Sequence, residues 1–322
     1  MTNSKMPTLE FFLRQGIEKN AIGKGRAVIA LGTFDGVHIA HRALLDSARE
    51  LKQRLSADLV GVWCFDEIPA AIIHGLPKTA LTSVDERARR LIESGADFVA
   101  VGRFDELRNT EACDFVKDIL IGKLGCVATV CGYNHRFGRM GLGDPDLLEG
   151  IFGKENTVTV SKIEISGQAV SSSAIREHLK FGNPEAANKM LGRRISLSSV
   201  VTEGKKLGRR LGFPTANQAF PDGFVPLKRG VYATLCSFDG GEQYMGVTNV
   251  GVRPSIDQND DHRLNCETYI IDFSDELYGR MLTVEFCAYL REEKKFSSVE
   301  ELSAAIEADR DSAIKYFEKN GK

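Results

Sequence analysis

Apolar and polar positions change their period about two-thirds of the way along the chain. In the first part, short continuous apolar runs at Ala27–Leu31, Leu59–Phe65, Phe98–Val101, Cys126–Cys131 and Val158–Ile163 alternate with helical periodicity at Arg42–Leu55, Asp85–Ser94 and Glu111–Lys123. Strands separated by helices predict an α/β unit with a mostly parallel sheet covered on both faces. From about Ile195 the pattern becomes β-rich, with runs at Gly230–Ser237, Gln243–Val250, Cys266–Asp272 and Leu282–Leu290. With no helix between them, these predict an antiparallel barrel or sandwich. SSVEELSAAIEADRDSAIKYFEK then predicts a C-terminal helix: Ser298 caps, Glu301 follows three residues on, and Leu302, Ile306, Ala313, Ile314 and Phe317 form the apolar face. The pattern divides the chain into domains at 1–182 and 183–322, with a helix around GNPEAANKML (Gly182–Leu191) as the bridge.

The 322 residues suffice for two cores, and 43% hydrophobic with 27% charged residues is ordinary globular composition. A formal net charge of -2 gives no electrostatic reason to expect nucleic acid. No apolar run approaches the roughly 20 residues needed to span a bilayer, and the N-terminal stretch has no secretory core. Seven cysteines, an odd number without CxxC spacing, fit a reducing compartment, so a cytoplasmic protein is expected, monomeric or weakly self-associating.

The densest chemistry is GTFDGVHIAH (Gly32–His41), which follows a strand and opens a helix. Glycines allow a ligand to approach the backbone, and free N–H groups at a helix start favour an anion. His38 and His41 lie three apart, so both imidazoles can face one bound group; phosphate chemistry on a nucleotide is the functional reading, and an ordinary turn with one packed histidine is the bland one. A second strand-end segment, GYNHRFGRMGLGD (Gly132–Asp144), could meet the first beyond the sheet. In VSSSAIR a serine caps the next helix and Arg176 can clamp a phosphate.

In the second part, GKKLGRRLGFPTAN (Gly204–Asn217) reads as a basic, glycine-spaced phosphate loop ending in a stiff Pro214 turn. Thr215 and Asn217 then supply a hydroxyl and an amide oxygen suited to Mg²⁺. The competing reading is a structural turn in which Asn217 bonds its own backbone. Glu267, a carboxylate inside the apolar run CETYIIDF, needs a partner or a role: a general base, or a buried salt bridge to an arginine.

With RGVYAT, GVTNVGVRPS and YLREEKKF following in order, the chain resembles the prokaryotic bifunctional riboflavin kinase/FAD synthetase family over nearly its whole length. The resemblance implies a Rossmann-like nucleotidyltransferase domain with a parallel sheet, followed by an antiparallel β-barrel riboflavin kinase domain with a C-terminal helix. It implies phosphorylation of riboflavin to FMN and adenylylation of FMN to FAD, with ATP and Mg²⁺. On the kinase side it implies Thr215 and Asn217 at Mg²⁺ and the phosphates and Glu267 as base. Gly204, Lys206, Gly208, Arg209, Gly212 and Pro214 are implied around the nucleotide, and Arg291 near the flavin. On the other side it implies His38, His41 and Arg176 in catalysis, with Gly32, Phe34, Asp35, Gly36, Gly132, Asn134, Arg136, Ser172 and Ser173 in binding. Three departures stand out: Ala40 where the family usually has glycine, Glu67–Ile68–Pro69 where it has a His-Pro pair, and Asn134–His135 where it has Asp-Phe. They leave one alternative, a riboflavin kinase with a catalytically reduced first domain.

Overall fold

A computed structural model describes residues 8–75, 79–203, 212–238, 241–252 and 264–321. The chain forms two compact units, Met1–Ser172 and Ser173–Lys322.

The first unit is built on a six-stranded sheet of β1 (Leu9–Leu13), β2 (Ala27–Leu31), β3 (Leu59–Phe65), β4 (Phe98–Gly102), β5 (Cys126–Gly132) and β6 (Thr157–Val160), in the order β1-β4-β3-β2-β5-β6. All neighbours are parallel except β1, which runs antiparallel to β4 at one edge. Every residue of β2 is buried, because alternate side chains enter two different cores. Val28 and Ala30 pack with Leu44, Leu45 and Ala48 of α1 (Ile39–Leu55), while Ala27, Ile29 and Leu31 pack with Phe115, Ile119 and Leu124 on the other face. This two-sided burial produces the unbroken apolar run seen in the sequence. The helix expected over Glu111–Lys123 is a short α-turn, Ala112–Asp114, that widens into a π-helix over Phe115–Ile121. Strand order reverses between β3-β2 and β2-β5, so the crevice beyond the C-terminal ends of β2 and β5 is the topological switch point. Two further helices of this unit, α2 (Val84–Glu93) and α3 (Pro145–Phe152), are capped by Ser83 and Asp144; a small hairpin, β7 (Glu164–Ile165) and β8 (Gln168–Ala169), completes it.

The division between the units falls at the start of α4 (Ser172–Lys180), which α5 (Pro184–Leu191) follows. The second unit contains six antiparallel strands: β9 (Ile195–Val200), β10 (Thr215–Ala219), β11 (Gly230–Phe238), β12 (Gln243–Val252), β13 (Leu264–Ile270) and β14 (Met281–Arg291), ordered β10-β13-β12-β11-β14-β9. The sheet curls until its end strands meet: Thr202 N–H donates to Asn217 C=O at 2.8 Å, and Gln218 Nε2 donates to Ser199 C=O at 3.0 Å and Leu282 C=O at 2.8 Å. Inside, the hydroxyls of Thr234, Thr248 and Thr268 form a buried chain at 2.8 and 2.9 Å. Outside, α6 (Val299–Asn320) lays Ala313 and Phe317 over Val231, Ala233 and Val247. Ser298 caps α6 at Glu301 N–H, as the sequence pattern predicts, while Glu301 Oε2 accepts from Ser297 N–H, one residue before the cap.

Candidate functional sites

At the switch point, the segment after β2 is held in a conformation it would not adopt alone. Phe34, Gly36 and Val37 all have positive φ, at 54°, 82° and 42°. For a β-branched residue such as Val37 this is strained, and it persists only where the surroundings enforce it. Asp35 does the enforcing: its buried carboxylate accepts from the N–H groups of Leu81 (2.9 Å) and Thr82 (3.3 Å), while Gly36 N–H donates to Thr82 Oγ1 at 3.1 Å. Ser172 Oγ donates to Asp35 C=O at 2.8 Å. The loop thereby delivers His38 as the N-cap of α1 with no side-chain cap hydrogen bond; His41 N–H bonds His38 C=O at 2.9 Å, and the N–H groups ahead of it lack a side-chain cap, an arrangement suited to an anion.

His38 and His41 stack with ring centroids 3.5 Å apart, and Phe34 tilts against His41 at 5.0 Å. Burial, then His38 and Arg87, push the His41 imidazole well below its ordinary range, so it is neutral near pH 7. Its Nδ1 is buried without a hydrogen-bond partner. Phe34 and Asp35 are buried and shape the loop, whereas Gly32 lies at the end of β2. Ala40 sits in the first turn of α1 in helical conformation, so the backbone there does not call for glycine.

The second strand-end segment leaves β5 at Gly132 through a tight turn, His135 N–H to Gly132 C=O at 3.0 Å. Asn134 is exposed; His135 stacks on Phe137, and burial pushes its imidazole down to about 4. Arg136 pairs with Asp144 at 2.9 Å, the residue whose carboxylate caps α3 at Leu147 N–H. In the second departure, Glu67 N–H donates to Asp66 Oδ1 and Pro69 occupies the first position of a short helix, Pro69–Ile73. Ser173 and Arg176 stand in the first turns of α4, beyond the unit division.

In the barrel, the residues after Pro214 form strand β10 and not the stiff turn expected of them, because Thr215–Ala219 pair with Tyr269–Asn265 of β13. Ala216 and Gln218 point inward, and Thr215 and Asn217 share the outward face. Asn217 stands directly opposite Glu267, which stands opposite Asn249 of β12, making one polar row across three strands. Asn217 Oδ1 accepts from Asn265 Nδ2 at 3.4 Å, which excludes the turn in which it bonds its own backbone. Glu267 is exposed: β13 buries Cys266, Thr268 and Ile270 and turns Glu267 outward, so it is not the buried carboxylate that the apolar run suggested. Thr215, Asn217, Ile270, Phe273 and Tyr278 line a cavity of about 300 Å³, and Pro214 borders it. Gly212 has φ of 83° just before it. Gly204, Lys206, Gly208 and Arg209 lie outside the described residues. Arg291 is committed to α6, its Nε and Nη2 binding Asp309 at 2.8 and 2.6 Å. Asn249 and Asn265 were not legible as site residues, because only strand register brings them to Glu267 and Asn217.

The chain thus joins two classes of unit: a doubly wound α/β unit with an uncapped helix start at its switch point, and a barrel unit with an amide–carboxylate pair on its outer face. The family models agree unit by unit: FAD synthetase matches residues 22–174 and riboflavin kinase matches residues 191–317. The chain is similar to the bifunctional riboflavin kinase/FMN adenylyltransferases of Bacillus subtilis strain 168 (31% identity, covering 91% of this chain and 93% of the relative) and of Pseudomonas fluorescens (35%, 88% and 90%). The Escherichia coli K12 protein of the same description is 34% identical, with 90% and 92% covered. The chain belongs to the bifunctional riboflavin kinase/FMN adenylyltransferase family. A crystal structure described as a macrolide-efflux protein from Streptococcus pneumoniae is similar over 92% of this chain and 96% of its own, at TM-score 0.81 and 25% identity. Among the described residues of this chain, no helix is long and apolar enough to cross a membrane.

Proposed function

We propose that the barrel unit transfers the γ-phosphoryl group of ATP to the 5′-hydroxyl of riboflavin, giving FMN and ADP. The doubly wound unit then transfers AMP from a second ATP to the FMN phosphate, giving FAD and pyrophosphate. The register that sets Asn217 opposite Glu267 on the outward face, beside the cavity, carries this reading.

Phosphoryl transfer asks for in-line placement and charge compensation more than for covalent chemistry. Glu267 is exposed to an incoming hydroxyl and takes its proton as the oxygen attacks phosphorus. The cavity beside Thr215 and Asn217 offers Ile270, Phe273 and Tyr278 as apolar walls for the adenine end of ATP. Thr215 and Asn217 suit Mg²⁺ because both present neutral, hard oxygen donors with open volume beside them for phosphate and water. Bound there, the ion would offset charge on the phosphate oxygens.

Adenylyl transfer needs no protein nucleophile, since the FMN phosphate attacks the α-phosphorus directly. The free N–H groups of α1 and the His38–His41 pair stabilise charge on the phosphates and the leaving pyrophosphate, with Arg176 as the proposed clamp. All seven cysteines are unpaired thiols, which supports a reducing, cytoplasmic setting.

The test is incubation of the full chain with riboflavin, ATP and Mg²⁺, followed by chromatographic separation of the flavins. FMN appears first and FAD later, and FMN supplied alone still yields FAD. Absence of FMN overturns the barrel assignment; absence of FAD from supplied FMN overturns the other.

A further inference from the structure

One buried cation, bound to the loop that leads from β2 into α1, has no part in the chemistry described above. Arg87, on α2, is only 2% exposed. Its Nη1 donates to Thr33 C=O at 2.8 Å and its Nη2 to Asp66 C=O at 3.3 Å. Thr33 follows β2 and Asp66 follows β3, so one guanidinium ties together the ends of two adjacent parallel strands at the rim of the crevice. Among the described residues no carboxylate pairs with Arg87, and its Nε is buried without a hydrogen-bond partner.

Burying a guanidinium against carbonyls alone is costly, and a purely structural tie between two loops could be made by a neutral amide. What an amide cannot supply is a fixed positive charge in a low-dielectric place. That charge is felt at His41, where Arg87 acts alongside His38. It lies behind the loop that presents the free N–H groups of α1.

We propose that Arg87 is a positioning residue for adenylyl transfer: its fork sets the spacing of the two strand-end loops, and its charge, held in no ion pair among the described residues, draws the polyphosphate of ATP to the start of α1. This rests on the adenylyl-transfer reading of the first unit.

Arg87→Met and Arg87→Lys in the full chain test it, with riboflavin phosphorylation measured in the same preparation as an internal control. In Arg87→Met the KM for ATP in FAD formation should rise roughly tenfold or more, with a smaller change in kcat and unchanged FMN formation. Arg87→Lys keeps the charge but not the two-carbonyl fork, so its KM should fall between the two. The groups facing His41 are His38, Arg87 and the ring of Phe34. Removing the cation should therefore move the acid limb of FAD formation to higher pH in Arg87→Met, whereas Arg87→Lys, which keeps the cation, should leave it near the wild-type position. A folded Arg87→Met enzyme with wild-type KM for ATP and an unmoved acid limb overturns the proposal. Should Arg87→Met fail to fold, Arg87→Lys decides: a raised KM supports the proposal, and wild-type kinetics overturn it. A wild-type chain that makes FMN but never FAD overturns the reading beneath and this inference with it, an outcome visible before any variant is made.

Discussion

Asn217 on β10 and Glu267 on β13 are direct cross-strand partners, both on the outer face of the barrel. The proposed metal-side amide and the proposed base are therefore held at the fixed spacing of paired strands, without reliance on loop order. The two can be separated kinetically. Glu267→Gln keeps the size and the strand pairing but removes the proton acceptor. Its kcat for FMN formation should fall by roughly 10²-fold or more with little change in KM for ATP. Steady-state kinetics under conditions where chemistry limits turnover check this, and near-normal turnover would exclude Glu267 as the base.

Asn217→Ala should behave differently. Glu267 stays in place, but an oxygen donor beside the cavity is lost. The Mg²⁺ concentration for half-maximal FMN formation should rise severalfold, and saturating Mg²⁺ should restore part of the rate. Magnesium titration of both proteins measures it; identical curves would remove Asn217 from the metal shell.

How much of this was legible in the sequence depended on how each element is buried. Strands β2 to β5 announce themselves as apolar runs because the sheet is covered on both faces. β1 does not: LEFFL lies at an antiparallel edge, is only partly buried, and has its short apolar run interrupted by Glu10. β10 reads as a loop because its inward positions are Ala216 and Gln218, which give no alternation of apolar and polar side chains. Pairing with β13, remote in sequence, makes it a strand. The His38–His41 spacing pointed correctly to one shared face, since the rings stack. Arg87 was hidden among the arginines of DERARRL, where helical period alone does not tell a buried guanidinium from the exposed ones beside it.

Arg291 shows how the structure adds a role to a residue first assigned to ligand. Its two bonds to the buried Asp309 fasten α6 to the end of β14. Asp309→Ala leaves the guanidinium without its partner and should destabilise the barrel unit by about 3 kcal/mol, the low end for breaking a largely buried pair. Urea inactivation of the full chain, followed through both reactions, reads this out. The midpoint for FMN formation should fall while that for FAD formation from supplied FMN stays near wild type. Equal falls would mean that the units unfold together.

His135 ties the stability of the first unit to pH. Burial pushes its imidazole from 6.5 down to about 4, and His41 is displaced in the same direction. Above pH 6.5 both folded and unfolded chains carry these groups neutral, so they contribute no pH dependence. As pH falls from 6.5 toward 4, the unfolded chain binds protons that the folded chain refuses, so stability drops through that window. Thermal unfolding of the first unit should therefore move to lower temperature between pH 7 and pH 5. His135→Phe keeps an aromatic face against Phe137 but binds no proton, so it should lose less on the same acidification. The remaining slope belongs to His41 and to any other group that titrates on unfolding. Differential scanning calorimetry of both proteins at the two pH values measures the difference, and parallel losses would show that His135 is protonated in the folded chain.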